Sequence, residues 1–87
     1  MYVKEAVIKS STGLRARTAT YFTQKANEFK SGIWIEKDER RVNAKSLLGV
    51  LSMAVICGTK ISIIADGADE VEAVEELCAL AGSEAGE

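Results

Sequence analysis

Two arginines and one serine are the residues in this chain best placed for chemistry. Arg15 and Arg17 flank Ala16, where an apolar-periodic stretch begins. A helix that starts there offers unpaired backbone N–H groups and a positive dipole end, which together favour an anion. A guanidinium can add charge-assisted hydrogen bonds to a phosphate or carboxylate. It cannot act as a nucleophile, because it stays protonated and has no free lone pair. The chain contains no histidine. Ser46 precedes the apolar run Leu47-Leu48-Gly49-Val50-Leu51, so its hydroxyl suits a helix N-cap or a phosphoryl acceptor. The arginines also admit a plainer reading as solvated loop-end cations, which the dipole at a helix N-terminus disfavours.

Other chemistries find little support. Cys57 and Cys78 sit singly, without Cys-x-x-Cys spacing, so no zinc site is expected and both read as reduced core or near-core thiols. No metal or cofactor is expected at all. The length of 87 residues suits one domain spanning 1–87, with 47% hydrophobic and 28% charged residues typical of a globular protein. No apolar run approaches the roughly 20 residues that span a bilayer, so no membrane partner is expected. The first residues lack the apolar core of a signal peptide, which reads as cytoplasmic.

Charge is lopsided. Residues 1–60 hold 11 bases against five acids, a net +6, whereas residues 61–87 hold eight acids and no base, a net −8. One end of the domain therefore suits anions. Nucleic acid is a poor candidate, because Tyr2, Tyr21 and Trp34 do not interleave with the basic residues as stacking platforms require.

The elements that must position these residues follow from periodicity. Tyr2 to Lys9 reads as a strand, and Ser10 to Gly13 as a loop. Ala19, Phe22 and Ala26, continued by Phe29, predict a helix from Ala16 to about Asn27, ended by Ser31-Gly32. Ile33 to Glu36 alternates as a strand, Lys37 to Arg40 turns, and Arg41 to Asn43 returns. The turn has no Asn-Gly or Asp-Gly to favour a two-residue hairpin. Ser46 caps a short helix with Leu47, Val50, Leu51 and Ala54 on one side and Gly58 at its end, which leaves Leu48 off the stripe. Lys60 to Asp66 is a strand with Ile61, Ile63 and Ala65 on one face. Asp69-x-x-Glu72 resembles a capping box for a last helix striped by Val71, Val74, Leu77, Cys78 and Ala81, closed by Gly82 and the polar tail Ser83 to Glu87. The order β-α-β-β-α-β-α predicts an α+β domain with helices on one face of an antiparallel sheet.

Gly13-Leu14-Arg15-Ala16-Arg17-Thr18 resembles the Gly-x-His-Ala-Arg-Pro loop of the bacterial phosphocarrier family HPr. Asn43-Ala44-Lys45-Ser46-Leu47-Leu48-Gly49-Val50-Leu51-Ser52-Met53 is similar to that family's regulatory-serine segment. The resemblance runs over essentially the whole chain and implies the HPr fold, a four-stranded open-faced sandwich with three helices on one face. Arg15 stands where the family carries its phosphohistidine, and Thr18 stands where it carries proline. The resemblance is closest in kind to the branch that lacks the histidine and serves carbon catabolite repression, although that branch has glutamine at the position of Arg15. It implies phosphorylation of Ser46 by HPr kinase/phosphorylase and binding to a CcpA-type transcription regulator. The implied contacts are Arg15, Arg17, Lys45, Leu47, Leu48 and Leu51, with no catalytic residue. The rival is a divergent phosphocarrier or accessory component of the sugar phosphotransferase system.

One further expectation comes from strand alternation alone. With Ile33, Ile35, Ile61 and Ile63 turned to the helices, Trp34 and Ile64 fall on the open side of the sheet, joined by Val7 from the first strand. That cluster reads either as a homodimer face or as a local cross-strand pair.

Overall fold

The computed structural model describes residues 1–9, 13, 16–53 and 55–82. Residues 10–12, Leu14, Arg15, Ala54 and residues 83–87 lie outside the described residues. The elements run β1 (Tyr2–Val7), α1 (Ala16–Ala26), β2 (Gly32–Lys37), β3 (Arg40–Asn43), α2 (Leu47–Ser52), β4 (Lys60–Asp66) and α3 (Glu70–Ala81). The four strands form one antiparallel sheet in the order β1-β4-β2-β3. This is the expected order of elements, in an α+β fold with the three helices on one face.

Alternation in the central strands builds the core. Ile33 and Ile35 of β2 pair with Ala65 and Ile63 of β4, and all four are buried with Ile61 beneath the helices. The stripe Ala19, Phe22, Ala26 and Phe29 closes over them from α1, and Ala73, Val74, Leu77 and Ala81 from α3. Val71, expected on that stripe, is 51% exposed and Cys78 half-buried, whereas Ala73 and Val74 beside Val71 are buried. Cys57 is exposed rather than buried, its thiol directed at the Lys9 carbonyl at 3.8 Å.

Local signals were rewired at three places. Asp69 occupies the N-cap of α3 but makes no capping bond to that helix. Its carboxylate instead accepts from the backbone N–H of Lys30 at 2.9 Å and of Ser31 at 3.0 Å, and from the Ser31 hydroxyl. Those bonds, the Ser31 hydroxyl foremost, hold its carboxyl at about 2. The reciprocal cap falls two residues earlier than predicted, with Glu70 Oε1 accepting from Gly67 N–H at 3.1 Å. Asp38 and Glu39 both adopt positive φ, 52° and 67°, in a two-residue hairpin closed by the Lys37–Arg40 pair. That turn forms without glycine, at the steric cost that left-handed L-residues carry. Finally, α2 ends at Ser52, six residues short of Gly58. Gly58, at φ +88°, instead donates its N–H to Ile8 O at 2.8 Å.

The open face carries one apolar row. Val3, Ile64 and Trp34 are consecutive cross-strand partners there. Ile64 is only 3% exposed, so it cannot form the exposed Trp34–Ile64 patch the sequence suggested. The Trp34 ring folds back over Gly32, where a Cβ would lie 2.7 Å from the ring. Burial of Ile64 within its own sheet fits the local cross-strand pair and leaves Trp34 half-buried. Val3 and Val7, at 52% and 37% exposure, are more open to solvent than Trp34 on this face.

Candidate functional site

The candidate residues lie toward the two ends of α1: the segment just before its start presses against the stretch after α2, and its last turn holds the Ser46 turn that opens α2. Gly13 has φ +71°, and a Cβ there would fall 2.3 Å from Val55 O and 2.8 Å from Ile56 Cα. Only glycine fits that approach, in both conformation and space. Thr18, 8% exposed, donates its hydroxyl to Gly13 O. The residue in the family's proline position thus ties the first turn of α1 back to the loop. Arg17 is exposed on that turn.

Ser46 is placed by a hydrogen-bonded frame from α1. Asn27 donates from Nδ2 to Thr23 O at 2.8 Å and to Lys45 O at 3.1 Å. Asn43 Oδ1 accepts from Lys45 N–H at 2.8 Å, and Asn43 O accepts from Ser46 N–H at 3.1 Å. This is the side-chain-to-backbone turn that Asn favours. Ser46 then takes extended dihedrals, φ −102° and ψ 116°, and its Oγ accepts from Gly49 N–H at 3.2 Å. The predicted N-cap is present. Ser46 is half-buried, and a Cβ on Gly49 would lie 3.4 Å from its Oγ.

Lys45, expected as a partner contact, is half-buried and reaches back toward α1. Its ammonium donates to Phe29 O at 2.7 Å, just past the end of α1, where carbonyls lack helical partners. The side chain joins α1 to the Ser46 turn.

The leucines sort unexpectedly. Of the predicted inward stripe, Val50 is fully buried, whereas Leu47 is 39% and Leu51 37% exposed. Leu48 is 80% exposed, off the stripe as expected. Of the six residues of α2 Val50 alone is buried, and Met53 and Val55 supply the core contacts beyond it. Leu47, Leu48 and Leu51 therefore form an apolar surface directly after Ser46. Two exposed residues were missed. Ile56, 64% exposed, belongs to the segment pressed against Gly13. Tyr21, 45% exposed, lies one turn along α1 from Arg17, and that i, i+4 spacing was the available signal.

Arg17, the Ser46 turn and the leucines thus lie on the α1–α2 side of the helical layer. Among the described residues no group of His, Cys, Asp and Glu could hold a metal ion, and no helix is long and apolar enough to cross a membrane. The arrangement can bind an anion, accept a phosphate at a capping hydroxyl, and present an apolar surface to another protein.

Comparison with known proteins agrees with this geometry. The family model described as "PTS HPr component phosphorylation site" matches residues 2–83. The "HPr-like protein Crh" of Bacillus subtilis (strain 168) is 47% identical over 79 residues, 91% of this chain and 93% of that protein. Among solved structures, HPr-C-His from Thermoanaerobacter tengcongensis superposes with a TM-score of 0.95 at 45% identity, covering 100% of this chain and 98% of that one. A crystal structure of Bacillus subtilis Crh, a catabolite repression protein described as a swapped, intertwined dimer, gives a TM-score of 0.78 at 45% identity over 97% of each chain.

Proposed function

Since this chain belongs to the HPr family, we propose that it is a non-catalytic regulator rather than a phosphohistidine carrier. HPr kinase/phosphorylase phosphorylates Ser46, and a CcpA-type transcription regulator reads the modified form in carbon catabolite repression. The observation that carries this reading is Ser46 itself, a half-buried N-cap serine followed by three exposed leucines in a chain with no histidine. A phosphoserine brings about two negative charges and three acceptor oxygens. At the start of α2 those charges lie where the helix dipole favours them, so modification keeps the fold and changes the surface.

Leu48 supplies the apolar anchor, flanked by Leu47 and Leu51, while Arg17 and Arg15 supply positive charge. A regulator whose surface pairs with the phosphate binds only the modified form tightly, which is the differential contact a switch requires. Lys45 is a further contact candidate, its ammonium held beside the Ser46 turn by Phe29 O.

Self-association belongs to the same reading. Crh of Bacillus subtilis is described as a dimer, and β1 is an edge strand here with exposed Val3 and Val7. That edge replaces Trp34 and Ile64 as the dimer face.

Incubation with HPr kinase/phosphorylase and ATP, followed by mass spectrometry, tests the proposal. One phosphate on Ser46, lost in Ser46→Ala, is the expected result. An unmodified Ser46 in folded protein overturns it. The rival, a divergent carrier of the sugar phosphotransferase system, predicts label transfer from phosphoenolpyruvate through Enzyme I.

A further inference from the structure

We propose that Ser52 is a second phosphoacceptor of this chain, with Arg40 as the residue that holds its phosphate. Arg40 opens β3, and its guanidinium reaches the last residue of α2. Nη1 donates to Ser52 O at 3.1 Å and Nη2 donates to Ser52 Oγ at 3.0 Å. The Ser52 hydroxyl in turn donates to Gly49 O at 2.6 Å. Both residues are exposed. Among the described residues Arg40 forms no ion pair, whereas its neighbour Arg41 pairs with Glu36 at 3.0 Å. Arg40 is thus a cation without an anion, fixed by two hydrogen bonds on an accessible hydroxyl.

Phosphorylation converts that arrangement into a charge-matched one. In the active site of a serine kinase, Ser52 Oγ attacks the γ-phosphorus of ATP and forms an Oγ–P bond. The bond from that phosphorus to the β–γ bridging oxygen breaks, ADP departs with the oxygen, and the hydroxyl proton passes to the kinase's base. The hydrogen bond to Gly49 O is lost with the proton. Phosphate at a helix C-terminus is disfavoured by the last carbonyls, and Arg40 offsets this with charge-assisted hydrogen bonds. The modified residue directly follows Leu51, so it adds negative charge at the rim of the apolar surface. Ser46 and Ser52 then mark opposite ends of α2, and this site does not depend on the reading of Ser46.

The test has two parts. Mass spectrometry of the chain isolated from its native cells should find phosphate on Ser52 under at least one growth condition. Its absence under all conditions sampled, with the Ser52 peptide detected unmodified, overturns the site. Protein made with phosphoserine at 52 should show, by phosphorus NMR titration, a second phosphate pKa below the ordinary value of about 6. The same titration in Arg40→Gln should return toward that value. Identical titrations in the two proteins overturn the role of Arg40.

Discussion

Replacement of Ser46 by alanine separates the structural use of this hydroxyl from its proposed signalling use. The change removes the bond from Gly49 N–H to Oγ, 3.2 Å long, and leaves the backbone bond from Val50 N–H to Ser46 O at 3.0 Å. Loss of a Ser cap costs about 1 kcal/mol, within a range of about 0.5–2. Here α2 has six residues and so few internal hydrogen bonds, and fraying would disturb Val50 and Met53, 0% and 5% exposed. The loss should therefore not fall at the bottom of that range. For a domain of this size about 1 kcal/mol lowers Tm by about 4–8 °C. Urea denaturation followed by Trp34 fluorescence measures it, with an unchanged m-value showing that stability alone has moved. Ser46→Asp keeps a good cap and places its charge favourably at the dipole, so its midpoint should match or exceed that of the parent. A Ser46→Ala protein as stable as the parent would refute the capping argument. An aspartate variant as weak as the alanine one would refute the claim that charge is tolerated there.

Three other changes probe the frame around the site. Gly13→Ala combines a positive φ with a Cβ 2.3 Å from Val55 O and should cost about 2 kcal/mol or more; a thermal melt within 2 °C of the parent would contradict the close approach. Glu39→Gly relieves a left-handed residue at φ 67° and should stabilise the hairpin by about 1 kcal/mol, read as a higher urea midpoint. Asp69, ordinarily near 3.8 and held at about 2 by the Ser31 hydroxyl and the 30–31 backbone, should make stability depend on acid. Its contribution is complete above 3.8 and is lost as pH falls toward 2; in Asp69→Asn the slope of stability against pH across that window should be smaller.

Much of the fold was readable because its signals are local. The strand at 60–66 sets Ile61, Ile63 and Ala65 on one face, and the helix from Ala16 repeats Ala19, Phe22 and Ala26 on one side, so both elements appear where periodicity placed them. The Ser46 cap was legible for the same reason. What escaped was set by distant partners. Asp69 looks like a cap for its own helix, yet it bonds to Lys30 and Ser31, 39 and 38 residues away. Lys45 looks like a free surface cation until α1 brings the Phe29 carbonyl to it. The exposed Leu47 and Leu51 illustrate a different limit. Helical spacing says which residues share a face, and says nothing of whether six residues reach far enough to bury it. Ile64 lost its expected exposure because Val3 and Trp34 flank it in register, a pairing that depends on the strand order.

The central claim is that modification of Ser46 turns an existing surface into a docking site. Isothermal titration of a CcpA-type repressor with unmodified and Ser46-phosphorylated chain tests it most directly. The modified protein should bind at least about tenfold more tightly, a difference of about 1.4 kcal/mol. Equal affinity for the two forms would contradict the account.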